Sequence, residues 1–105
     1  MKVKLTDLAD VIRSKNSGPY ELTFDIIFKT FEIFEKVCAA GAINEALVCD
    51  LYRLTPGGII NIVAFKPAKA VKITIKRPIC SGSPGDTDVY GAQQHAPLLG
   101  VYLDI

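Results

Sequence analysis

Two short stretches carry residue types that hold anions: RSKNSGP, with Arg13, Lys15 and Asn16, and SGSPGD, with Ser81, Gly82, Ser83 and Asp86. Gly82 and Gly85 permit dihedrals that turn successive backbone N–H groups into one concavity, and the serine hydroxyls add donors. Arg13 can fork onto a carboxylate or phosphate, and Lys15 adds a second cation. A solvated turn uses the same residues, because Ser, Pro, Gly and Asp are what any tight loop is made of. There is no Walker-type lysine and no GxGxxG after a strand, so a small carboxylate or phosphate suits these stretches better than a nucleotide.

Asp86, Asp88 and His95 together offer two hard oxygens and one imidazole to a divalent cation. His95 is the only histidine, which excludes a His-rich transition-metal site, and two aspartates at i, i+2 serve equally as caps for the loop's own backbone. No metal site is assigned. Cys80 and His95 have the types of a nucleophile and its base, but no helix N-terminus stands ready to lower the thiol's pKa. No catalytic residue is assigned, and no cofactor is indicated. Tyr90 has the character of an interface anchor, and the amides of Gln93 and Gln94 can bridge backbone groups across a contact. A short helical turn packing the loop down would use YGAQQHA equally well.

Most of these residues fall in RPICSGSPGDTDVYGAQQHAP, residues 77–97, a fifth of the chain. Connections longer than about 12–15 residues are uncommon in compact domains and usually functional or disordered. The elements around it must position it. LTDLADVIRS predicts a short helix, with Thr6 as cap, Asp7 and Asp10 in its first turn, and Leu5, Leu8 and Ile12 on one stripe. From Tyr20 the period becomes two: Leu22, Phe24, Ile26 and Phe28 share one strand face, and Glu21, Thr23 and Asp25 the other. Thr30 caps a second helix with Phe31, Phe34 and Cys38 as its stripe beside Val37, ended by Gly41. Asn44 caps a third, which turns Leu47, Val48 and Leu51 inward. TPGG is a turn, and IINIVAF (59–65) and AVKITIK (70–76) are strands joined by KPAK. LLGVYLDI predicts a last strand with Leu99, Val101, Leu103 and Ile105 on one face.

The 105 residues fit one domain with a single core. Half are hydrophobic and 22% are charged, with a net charge of +1. That balance gives no electrostatic footprint for nucleic acid or an anionic membrane. The longest apolar run, GGIINIVAF, is far short of a membrane span. Asp7 and Asp10 interrupt what would be the apolar region of a signal peptide. Three cysteines without a CxxC pair (Cys38, Cys49, Cys80) argue against a disulfide framework. A cytoplasmic location is expected.

The order α-β-α-α-β-β-β predicts an α+β two-layer sandwich: a four-stranded, mainly antiparallel sheet with helices on one face. Its centre matches a split-βαβ, ferredoxin-like arrangement that lacks the second crossover helix. The third strand then lies between the first two, and Lys76 comes beside Tyr20. Ile59, Val63 and Phe65, or Ile27, on an uncovered sheet face would mark a subunit contact.

LTDLADVIRSKNSGPYELTFDIIF and SGSPGDTDVYGAQQHAPLL resemble the domain-of-unknown-function family DUF4387, small proteins associated with AtuA-type acyclic-terpene-utilisation proteins. The resemblance implies an accessory or subunit protein that works with an AtuA-type partner in the breakdown of small or branched acids or acyl-CoA-linked compounds. It supplies no catalytic residues. Two other readings fit the residues: a stand-alone small lyase- or hydratase-like enzyme using Asp86, Asp88 or His95 with Arg13 as carboxylate anchor, and a homo-oligomeric small-molecule binding module.

Overall fold

The alternation of large apolar residues in ELTFDIIF is realised as a strand that forms the inner spine of the sheet. The computed structural model of the protein describes residues 2–18, 20–76 and 96–105. In chain order its elements are β1 (Lys2–Lys4), α1 (Leu5–Leu8), β2 (Ala9–Gly18), β3 (Glu21–Phe28), α2 (Phe31–Ala40), α3 (Glu45–Tyr52), β4 (Ile59–Phe65), β5 (Ala70–Lys76) and β6 (Tyr102–Asp104). Four strands make one antiparallel sheet in the order β2-β3-β5-β4, and β1 and β6 pair separately. The fold is α+β, with three helices among the described residues.

The inner face of the sheet is apolar because residues two apart on a strand point the same way. Leu22, Phe24, Ile26 and Phe28 of β3 and Val71, Ile73 and Ile75 of β5 are all buried. Phe34 and Val37 of α2 and Val48 of α3 close over them in one cluster. Phe28 and Phe34 meet with ring centroids 6.4 Å apart, and Tyr52 lies 4.7 Å from Phe24. Both long helices begin as their caps predict: Thr30 accepts from the Ile33 N–H and Asn44 from the Leu47 N–H. Gly41 ends α2 in the left-handed conformation, at φ 60°. None of the described helices is long and apolar enough to cross a membrane.

β5 lies between β3 and β4, antiparallel to both, and Glu21 pairs with Lys76. Of the three strands expected over 20–28, 59–65 and 70–76, the last thus lies between the other two.

Three expectations need correction. The predicted helix LTDLADVIRS stops after one turn at Leu8, and Ala9–Gly18 continues as a strand. Its eight paired positions on β3, from Ala9 opposite Phe28 to Gly18 opposite Glu21, outweigh a weak helical stripe. The fourth place in the sheet therefore goes to β2, beside β3. The expected C-terminal strand shrinks to Tyr102–Asp104 and pairs instead with Lys2–Lys4. Ala96–Gly100 coils as a 3-10 turn, which buries Leu98 and leaves Leu99 44% exposed. On α2 the inward stripe is Phe34 and Val37, while Phe31 and Cys38 are exposed.

Candidate functional site

Cross-strand register sets the outer face of the sheet in rows, because directly opposite residues share a face. Val11, Ile27, Ala70 and Phe65 form an apolar row. Next to it run Arg13, Asp25, Lys72 and Val63. A polar row follows, of Lys15, Thr23, Thr74 and Asn61, and then Glu21 beside Lys76. Four cations and two acids thus share this face, with hydrocarbon at one end.

Its centre is Asp25. The Arg13 Nε donates to Asp25 Oδ2 at 3.1 Å. The two partners differ sharply in depth: the arginine side chain is 60% exposed and the aspartate 3%. Asp25 Oδ1 is buried and has no hydrogen-bond partner among the described residues. Lys72 occupies the register position on the other side of Asp25, but its ammonium lies over the Phe65 ring, 5.7 Å from the centroid. That distance suits a cation–π contact. In the polar row the hydroxyls of Thr23 and Thr74 are 3.4 Å apart.

This arrangement can hold an anion that also carries a hydrogen-bond donor. The outer edge of the Arg13 guanidinium and the Lys72 ammonium supply positive charge. Asp25 Oδ1 is an acceptor with no partner among the described residues, and buried polar atoms are normally paired.

Two smaller features lie elsewhere. A cleft of about 200 Å³ at the β4 edge of the helical face is lined by Val37, Cys38, Gly41, Ile62 and Ala64 among others. Slight burial pushes the Cys38 thiol up from its ordinary pKa. Burial likewise pushes the Tyr52 phenol up. A second hollow of about 230 Å³ is bordered by Thr6, Ala9, Asp10, Ile12 and Leu99. No group of three or more His, Cys, Asp or Glu among the described residues could hold a metal ion.

The structure divides the residues singled out from sequence. Arg13 and Lys15 share the outer face, two positions apart on β2. Asn16 pairs with Leu22 and so belongs to the inner register, away from both. All three lie on a strand, not on a loop after a helix. Ser81, Gly82, Ser83, Asp86, Asp88, Tyr90, Gln93, Gln94 and His95 lie outside the described residues. Asp25 and Lys72 were missed as site residues, although a signal existed. An acid inside LTFDIIF, flanked on both sides by fully buried residues, is out of character for an inner strand of a sheet.

No curated protein and no solved structure is significantly similar to the chain. Residues 5–102, from α1 to the start of β6, match the model of a family, and the chain belongs to it: Domain of unknown function (DUF4387).

Proposed function

We propose that the protein is an accessory subunit of an AtuA-type partner, and that its outer sheet face holds a small carboxylate with a branched or apolar tail, free or acyl-linked. Asp25 carries this reading: a buried carboxylate between Arg13 and Lys72, with one oxygen that has no partner among the described residues. An anionic head would sit against the Arg13 and Lys72 cations, a hydroxyl would donate to Asp25 Oδ1, and the tail would lie along Val11, Ile27 and Phe65. The family membership supports the partner half of the proposal, on the resemblance described above. The cytoplasm is its place of work. The scaffold is best understood as a ferredoxin-like variant in which β2 takes the edge place beside β3 that a C-terminal strand would otherwise fill.

Two measurements test the halves separately. Titration calorimetry with 3-hydroxy-3-methylbutanoate should give binding that weakens at least about tenfold in Arg13→Gln, as expected for loss of a charge-assisted contact. Asp25→Asn should reduce the preference for this acid over 3-methylbutanoate, which lacks the hydroxyl. Equal affinities in all three proteins would overturn the ligand site. Affinity purification from the native host should recover an AtuA-type protein, and its absence would remove the subunit role.

A further inference from the structure

β4 is, among the described residues, an open edge of the sheet that lacks the protection edge strands normally carry. Among the described residues it pairs with β5 alone. Its sequence, IINIVAF, contains no charge and no proline. Five of its seven residues are exposed, including Ile60 at 42% and Val63 and Phe65 at 46% each. Such an edge presents unpaired backbone N–H and C=O groups with apolar side chains above and below, a template for another strand. The opposite edge of the same sheet is guarded. β2 carries Asp10, Arg13 and Lys15, and two register shifts break its ladder.

We infer that β4 pairs antiparallel with β4 of a second copy of this chain, joining two sheets into one of eight strands. The features of the edge select this occupant. A register shift between Ile59 and Asn61 confines the regular ladder to Asn61–Phe65, whose midpoint is Val63. A two-fold axis there sets Val63 against Val63, Asn61 against Phe65, and Ile62 against Ala64. No charge meets a like charge within the ladder, so nothing in it opposes self-pairing. On the inner face, Ala64 and Ile62 line the cleft that the α2 end leaves open. The pairing brings the larger Ile62 of one copy beside the small Ala64 of the other, where that space is. This inference does not depend on what the outer face binds.

Sedimentation analysis of the full chain from micromolar to millimolar concentration should show a species of twice the 11.4 kDa chain mass. Val63→Lys places two ammonium groups at the two-fold axis, each beside Lys72, and should weaken the dimer at least about tenfold, since facing like charges oppose association. An equimolar mixture with Val63→Glu should recover it, which also shows that the lysine variant folds. In the unmodified chain, hydrogen exchange at Asn61–Phe65 should slow as concentration rises while exchange in β2 does not. A monomer at every concentration, or a Val63→Lys dimer of unchanged affinity, overturns the inference. A dimer whose concentration-dependent protection falls on β2 overturns it as well.

Discussion

Asp25 has Phe24 and Ile26 as its neighbours on β3, both fully buried, and its own carboxylate is almost as deep. Burying one carboxylate oxygen against Arg13 and leaving the other without a partner among the described residues does not favour folding. Replacing a buried ion pair with packed hydrocarbon is often neutral or stabilising, whereas removing one partner alone is costly. The two residues should therefore respond differently to substitution. Arg13→Ala should lower stability by about 1–3 kcal/mol, because it strands a buried acceptor. The lower end is expected, since the guanidinium is 60% exposed and water can replace it. Asp25→Val should match or exceed the unmodified protein, given valine's fit to an inner strand. Urea denaturation of the two variants decides the matter. If Asp25→Val proved as damaging as Arg13→Ala, the carboxylate would be a structural group and its role in a site would lose its main support.

At the scale of elements, α2 and α3 end in the same left-handed geometry but with different residues. Gly41 closes α2 at φ 60° and Arg53 closes α3 at φ 54°. A Cβ added at Gly41 would meet nothing within 4 Å, so Gly41→Ala isolates the conformational cost, about 1–2 kcal/mol for an L-residue in this region. Arg53→Gly should run the other way, raising stability by up to about 1 kcal/mol after the extra freedom of the unfolded glycine is counted. Thermal and denaturant midpoints of both variants check the pair. The caps and the Gly41 stop were legible because each is a local interaction with a residue signature. The same holds for β3 and β5, where strict alternation leaves one interpretation. β2 was not legible. Its inward positions include Ser14 and Asn16 opposite Phe24 and Leu22, so the alternation of a half-buried strand is missing, while Leu5, Leu8 and Ile12 imitate a helix. Only the pairing with β3, a non-local event, settles that segment as a strand. The site followed from this: Arg13 was recognised as an anchor, but Asp25 emerged only once register put the two opposite each other.

The whole molecule is closed by its first and last strands. Lys2–Lys4 pairs with Tyr102–Asp104, and the Leu5 N–H donates to the Val101 carbonyl at 2.9 Å. Leu98, Val101 and Leu103 from this end join Leu5 and Leu8 in the same core as β3 and β5. A domain of this size has few apolar residues to spare, and its net stability is a small difference between large terms. The closing segment should thus contribute to global stability and not form a loose appendage. Leu98 is 1% exposed and Leu103 2%, so truncating either to alanine should cost about 2–5 kcal/mol. Leu99→Ala, at 44% exposure, should change stability by no more than about 0.5 kcal/mol. The comparison is informative because LLGVYLDI taken as a continuous strand ranks Leu99 as the inward residue of the adjacent pair, and the 3-10 turn reverses that order. Urea midpoints for the three variants, followed by circular dichroism and by tyrosine fluorescence, should fall in the order Leu99→Ala well above Leu98→Ala and Leu103→Ala. Both probes should shift together for each variant, as they would if the closing strands and the four-stranded sheet unfold as one unit. A Leu98→Ala midpoint no lower than that of Leu99→Ala would mean that the segment packs elsewhere. In that case the core would have to stand on the four-stranded sheet and two helices alone.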